Sequence, residues 1–246
     1  GDVTDEADNC DTDLDATYSD NLDLTGCNGT GTITRTWILV DDCGNTTTDT
    51  QLITIVDTEA PTFTVPVDVT INCEDDYTNL NLTGDVTDEA DNCDTDLDAT
   101  YSDNLDLTGC NGTGTITRTW TLVDDCGNTT TDTQLITVVD TEAPTFTVPA
   151  DVTINCEDDY TDLSLTGDVT DEADNCDTDL DATYSDLLDL TGCNGTGTIT
   201  RTWILVDDCG NTTTDTQLIT VVDTEAPTFT VPVDVTINCE DDYTDL

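Results

Sequence analysis

Acidic side chains dominate the chemistry open to this chain. Its 246 residues include 56 Asp+Glu against 3 Lys+Arg, a formal charge of -53. Three acidic groups recur along it. The first is Asp57-Thr-Glu59, with Asp140-Thr-Glu142 as its counterpart. The second is Asp88, Glu89, Asp91, Asp94 and Asp96, repeated as Asp171, Glu172, Asp174, Asp177 and Asp179. The third is Asp124-Asp125 with Asn128, repeated as Asp207-Asp208 with Asn211. Oxygens of this kind are hard ligands, and Ca²⁺ takes about six to eight of them. Unneutralised, so many carboxylates repel one another. Ca²⁺ is therefore the expected cofactor and these residues its expected ligands. The plainer alternative is a solvated, flexible acidic hinge. An EF-hand is not expected, because the loop around Asp94 and Asp96 lacks the turn Gly and terminal Glu of that motif.

Thiols supply the second chemistry. The 12 Cys form no C-x-x-C pair and the chain has no His, so neither zinc nor a redox dithiol is expected. Regular cysteines in small, acidic, β-rich repeats read as structural disulfides, hence an oxidising, extracellular setting. Enzyme chemistry is not expected. His and Lys are absent, and no Ser lies in a nucleophile motif. Acids this dense make any carboxylate pair for glycoside hydrolysis unremarkable. The charge disfavours nucleic acid and anionic membranes. No apolar run reaches the length of a membrane span, so no direct membrane insertion is expected.

A repeat positions these groups. GDVTDEADNC begins at Gly1, Gly84 and Gly167, a period of 84 − 1 = 83 residues. The first two copies differ only at Ile38/Thr121, Ile55/Val138, Val67/Ala150, Asn79/Asp162 and Asn81/Ser164. Such a period means an array of like modules. The working unit starts near Thr58, where Pro61 and Pro66 interrupt regular pairing. Complete domains are framed at 58–140 and 141–223. Residues 1–57 read as a domain lacking its first strand. Residues 224–246 read as the first strand of a following domain.

Within 58–140, period two gives the strands. Strand A runs from Phe63 to Val65, breaks at Pro66, and resumes through Val67, Val69, Ile71 and Cys73. Strand B takes Leu80, Leu82 and Val86. Strand C takes Leu97, Ala99 and Tyr101, with an irregular stretch from Asn104 to Gly114. Strand F places Ile116, Arg118, Trp120 and Leu122 on one face. Strand G is Gln134 to Val139. No helical pattern appears. The expected fold is all-β, as tandem immunoglobulin-like β-sandwich domains in a linear array. Trp37, Trp120 and Trp203 read as core anchors. Arg35, Arg118 and Arg201, two residues earlier on the same face, read as structural ion pairs at the sandwich edge.

Strand parity also sorts the cysteines by end. Cys73 and Cys110 fall at the bottom of the domain, Cys93 and Cys126 at the top. Pairing needs Cα atoms within about 7 Å. That favours Cys73–Cys110 and Cys93–Cys126, with equivalents Cys156–Cys193, Cys176–Cys209 and Cys10–Cys43. Cys27 and Cys239 are left over, and would complete one another between successive copies. The three acidic groups converge on the top, where a domain meets its predecessor. Glu74-Asp75-Asp76, with Asp103 and Asp106, lies at the opposite end and could add ligands.

Four motifs carry a resemblance. They are Asp-Asn-Cys-Asp (91–94), Arg-Thr-Trp (118–120), Asp-Asp-Cys-Gly-Asn (124–128) and Val-Asp-Thr-Glu-Ala-Pro-Thr-Phe (139–146). Together they resemble hyalin-repeat-like (HYR-like) modules of bacterial surface proteins. They are especially similar to tandem repeats in giant Bacteroidota adhesins, including gliding-motility adhesins. The resemblance implies an immunoglobulin-like fold, secretion and a cell-surface filament. The linker also resembles the Ca²⁺-binding linker of cadherins, which lack this disulfide pattern.

The expected function is a structural stalk, disulfide-stapled and Ca²⁺-stiffened, that extends an adhesive end from the cell. Repetition supplies length and makes every joint alike. Its partners would be neighbouring repeats and an unknown surface ligand. The alternatives are a pilus-like polymer joined by strand donation, or repeats that themselves bind surface carbohydrate.

Overall fold

The computed structural model describes residues 1–240. The chain divides into two compact units, Gly1–Thr141 and Glu142–Leu246. The first unit opens with β1 (Thr17–Asp23), β2 (Gly31–Val40) and β3 (Thr46–Ile55). These form an antiparallel sheet in the order β1-β2-β3. There follow β4 (Thr62–Thr64), β5 (Val69–Asn72), the one-turn helix α1 (Leu80–Thr83), β6 (Thr87–Ala90), β7 (Thr100–Asp106), β8 (Gly114–Val123) and β9 (Thr129–Val139). β4 pairs with β6, and the larger sheet has the order β5-β9-β8-β7. Pro66 lies between β4 and β5, where the chain leaves one sheet for the other. It has no N–H to offer either ladder. β5 then runs parallel to β9, while β9, β8 and β7 are antiparallel. The fold is all-β and immunoglobulin-like.

Alternation explains the core. β8 reads Gly-Thr-Ile-Thr-Arg-Thr-Trp-Thr-Leu-Val, and Ile116, Arg118, Trp120 and Leu122 are all buried. The intervening Thr residues suit a pleated, half-exposed face. Ile71, Ile116, Ile136 and Val138 form the buried cluster, with Val69, Tyr77 and Leu107 packed around it.

Arg118 occupies the core itself, not the sandwich edge. Its side chain is 0% exposed. Nε donates to Asp103 Oδ1 at 2.8 Å and Nη2 to Asp103 Oδ2 at 2.9 Å. Nη1 donates to Thr83 Oγ1 and Nη2 also to the Tyr77 carbonyl, both at 2.9 Å. The guanidinium lies 4.0 Å from the Tyr101 ring centroid. Burial opposes its charge, but the Asp103 carboxylate outweighs burial and raises its pKa. A buried cation persists only when its donors are met in this way.

The same contacts account for a departure from the expected strand B. Leu80–Thr83 forms α1 rather than extended chain. Asn79 caps it by accepting from the Asn81 N–H, and Gly84, at φ 90, ends it. Thr83 is thereby turned inward, toward Arg118. The strand starts only at Thr87. β7 likewise extends to Asp106, into the stretch expected to be irregular.

Gly114, at φ 151, shows where close approach fixes a residue type. A Cβ there would strike the Asp106 carbonyl, where β7 ends. Gly112, at φ 83, has open space around it. Gly114→Ala is therefore expected to cost about 1–3 kcal/mol, and more than Gly112→Ala. Paired thermal melts check this, and equal losses would refute the packing argument.

The second unit repeats the plan with β10 (Thr145–Thr147), β11 (Val152–Asn155), α2 (Leu163–Thr166), β12 (Thr170–Ala173), β13 (Thr183–Asp189), β14 (Gly197–Val206) and β15 (Thr212–Val222). Its sheets are β10-β12 and β11-β15-β14-β13. Its core is Ile154, Ile199, Ile219 and Val221. Residues 223–240 form no strand, although 224–246 read as one. At the equivalent positions of the preceding copy, β10 and β11 form by pairing with β12 and β15 of that copy. Residues 241–246 of that stretch lie outside the described residues.

Candidate metal centre

Three segments of the first unit bring carboxylates together. Asp57 follows β3, Asp91 follows β6, and Asp124 follows β8. One oxygen from each lies within 4.8 Å of the others. Asp124 is nearly fully buried. It is held by its own turn, since Asn128 donates to Oδ1 from its backbone at 2.8 Å and to Oδ2 from its side chain at 2.7 Å. Asp91 Oδ1 accepts from the N–H groups of Cys93 and Asp94, each at 2.9 Å. Asp57 Oδ1 accepts from the Glu59 N–H at 3.2 Å.

The remaining oxygens identify what the group lacks. Asp57 Oδ2 and Asp91 Oδ2 are buried and accept no hydrogen bond. A buried carboxylate oxygen without a donor is costly, and two beside a third carboxylate more so. A cation meets both needs. The donors are hard oxygens, which fits Ca²⁺ or Mg²⁺. The adjacent thiol is a poor competitor. Burial pushes the Cys93 thiol up, and the charges of Asp57, Asp91, Asp124 and Glu59 push it further.

Other expected ligands serve as scaffold. Asp94 is buried and accepts from the Asp96 N–H at 3.0 Å and the Asp125 N–H at 2.9 Å. It ties the loop after β6 to the turn after β8. Glu89 Oε1 accepts from the Ala99 N–H at 2.7 Å. Asp88 Oδ2 accepts from Thr64 Oγ1 at 3.2 Å. In the second unit Glu172, Asp177 and Asp207 make the same bonds, to Ala182, to Asp179 and Asp208, and to Asn211. Asp174 accepts from Cys176 and Asp177, and Asp171 from Thr170. Asp140 and Glu142 occupy the linker position one period after Asp57 and Glu59.

At the opposite acidic end, three carboxylates have local partners. Arg118 takes both oxygens of Asp103. Asp75 accepts from the Asn72 N–H, and Asp76 from Thr78.

The disulfides correct the parity argument. Cys126 bonds Cys27, with 5.2 Å between Cα atoms. Cys93 is a free thiol, so Cys93–Cys126 does not form. Cys10, Cys43, Cys156 and Cys193 are free as well, so Cys10–Cys43 and Cys156–Cys193 do not form. Cys73, Cys110, Cys176 and Cys209 are disulfide-bonded. For Cys126, parity sought a partner inside its own domain, and the partner lies in the preceding copy. Cys27 sits in the 3-10 turn Cys27–Gly29 between β1 and β2. It meets the β8–β9 turn of the following copy instead. Beside it, the Asn28 side chain bonds Asp94, and Asn128 Nδ2 donates to the Asp57 carbonyl at 3.5 Å. Asn28 was invisible as a joint residue in the sequence. The leftover Cys27 was the available signal.

Backbone donors hold two loop carboxyls below the usual range. For Asp91 the largest cause is the Cys93 N–H, for Asp94 the Asp96 N–H. A depressed carboxylate contributes stability that is complete above its unfolded value, about 4. That stability is lost as pH falls through the lower folded value. Calorimetry from pH 7 downward should show a flat thermal midpoint to about pH 5, then a fall. Asp94→Asn should flatten that acid limb, and an unchanged limb would count against this loop as its source.

No family model matches the chain and no curated protein is similar to it, so the hyalin-repeat-like resemblance rests on its motifs alone. Solved structures similar to it include mouse clustered PcdhgC3 EC1-3, at 13% identity and TM-score 0.34 over 81% of this chain and 79% of that one. Drosophila N-cadherin EC1-4 gives 15% and 0.27 over 90% and 69%. Human mucin-like protocadherin EC1-2 gives 13% and 0.28 over 67% and 100%.

Proposed function

We propose that this chain is a length of structural stalk in an extracellular surface filament, its joints stiffened by Ca²⁺. One observation carries the reading: Asp57, Asp91 and Asp124 converge at the linker, with two buried oxygens lacking donors. Asp57 belongs to the linker itself, while Asp91 and Asp124 belong to the domain that follows it. An ion held there fixes the angle between them. Asp140, Asp174 and Asp207 stand at the same places one period on, which makes the device repeatable. Carbohydrate binding by the repeats is less well supported, because Trp120 and Trp203 are fully buried and offer no stacking face. The stalk would present an adhesive end and contact its own neighbouring repeats.

Calorimetric titration and small-angle scattering test the reading together. The expected result is Ca²⁺ binding with Kd of about 1 mM or tighter, the range of extracellular modules. EDTA should shorten the maximum dimension. Unchanged scattering at saturating Ca²⁺ and in EDTA would overturn stiffening.

A further inference from the structure

The 3-10 turn Cys27–Gly29 carries an Asn-Gly dipeptide, Asn28-Gly29, with both residues exposed. Asn28 has φ 47 and ψ 35, and Gly29 has φ 85. Left-handed backbone favours these two residue types, which explains their place in the turn. The pair also has a chemistry of its own. A glycine nitrogen can attack the side-chain carbon of a preceding Asn, because no Cβ obstructs the approach. We propose that Asn28–Gly29 is a self-modifying site: it is protected while the turn is docked on the following domain, and undocking lets it convert to a carboxylate that opposes redocking.

Backbone geometry supplies the protection. At ψ 35 the Gly29 nitrogen lies on the opposite side of the Asn28 Cα–C bond from Cβ, so a ring between them cannot close. Closure needs a large rotation about that bond. The docked turn resists it. The Thr30 N–H donates to the Cys27 carbonyl at 2.9 Å, and Cys27 is bonded to Cys126. What the side chain meets supplies the consequence. Asp94 is 4% exposed, and its Oδ2 accepts at 2.9 Å from the N–H of Asp125, the neighbour of Cys126. The Asn28 amide bonds the same carboxylate.

The step balances with water as its only co-reactant. The Gly29 nitrogen forms a bond to Asn28 Cγ. Nδ2 leaves as ammonia, taking the glycine amide proton, and a cyclic imide remains. Water then opens the ring at either carbonyl, leaving an aspartyl or an isoaspartyl residue. Either product sets a carboxylate where an amide had donated, against the nearly buried Asp94. Like charges there repel with little water to screen them. Docking therefore preserves the amide, and undocking is recorded covalently. The site does not depend on the metal reading.

Peptide mapping by mass spectrometry of the full oxidised chain, aged at neutral pH in EDTA, tests the site. Deamidation at Asn28 should be slower by about tenfold or more in the folded chain than in the same chain held unfolded in urea. Cys27→Ser, which loosens the docked turn, should raise the folded rate severalfold. Equal rates in the folded and unfolded chain would overturn the proposal, as would no response to Cys27→Ser. Hydrogen exchange tests the consequence without ageing. Asn28→Asp should speed exchange at the Asp125 N–H about tenfold over the parent chain. Asn28→Ala, which removes the amide without adding charge, should speed it less. If the two variants exchange alike, the new carboxylate does not oppose redocking and the proposal fails.

Discussion

In saturating Ca²⁺, Asp57→Asn should lower the thermal midpoint of the Gly1–Thr141 unit; in EDTA it should raise it. The sign reversal follows from how Asp57 is held. Its Oδ1 accepts one backbone N–H, which an amide oxygen can also take, and its Oδ2 accepts none. In the proposed site, a metal would use that second oxygen. At about 100 times Kd a bound ion contributes about 2.7 kcal/mol, and a hundredfold loss of affinity removes about 2 of them. Without the ion, the substitution removes one of three like charges within 4.8 Å. The relief should be about 1 kcal/mol. Asp124→Asn makes the contrast. Both its oxygens accept from Asn128, so an amide places a donor against a donor. It should destabilise in either buffer. Differential scanning calorimetry of the three proteins decides the matter. If Asp57→Asn shifts the midpoint in the same direction in both buffers, the cluster is not a metal site.

Arg118→Met should be the most damaging single substitution in the same unit, costing about 3–5 kcal/mol. It strands Asp103, whose side chain is 11% exposed, and leaves Thr83 and the Tyr77 carbonyl without their donor. Arg118→Lys should recover little, because an ammonium cannot make the two-pronged bond to Asp103 or lie flat on Tyr101. Arg35 is the built-in control. It pairs with Asp20 at the same 2.8 Å but is 20% exposed, and it makes no bond comparable to those with Thr83 and Tyr77. Arg35→Met should be mild. Urea unfolding with hydrogen exchange on β8 and β2 separates the two, and equal losses would refute a core role for Arg118.

The all-β fold was legible because period-two alternation is a local property. Ile116, Arg118, Trp120 and Leu122 declare one face of β8 without any other part of the chain. Where a long-range contact decided the outcome, the sequence misled. Leu80 and Leu82 alternate like strand residues, yet Thr83 must turn inward to meet Arg118, so a helical turn forms. The carboxylates showed the same limit. Their abundance pointed to a cation, but it could not separate Asp57, Asp91 and Asp124, which converge, from Asp94 and Glu89, which tie backbone together. The cysteines failed for a related reason. Parity tells which end a residue reaches, and a joint places one domain's lower end against the next domain's upper end. The partner of Cys126 therefore lay in the preceding copy, at Cys27, rather than inside its own domain at Cys93.

The Cys27–Cys126 bond bears on how the first unit takes tension. A pull applied to the chain before Cys27 and after Cys126 passes through the bond and bypasses the 99 residues between them. Fully extended, those residues would span about 340 Å. They include every strand from β2 to β8. With the bond in place that length stays hidden, and the unit responds as a tether rather than a spring. Reduction of the bond would return the length, so extensibility would follow the redox state of the surroundings.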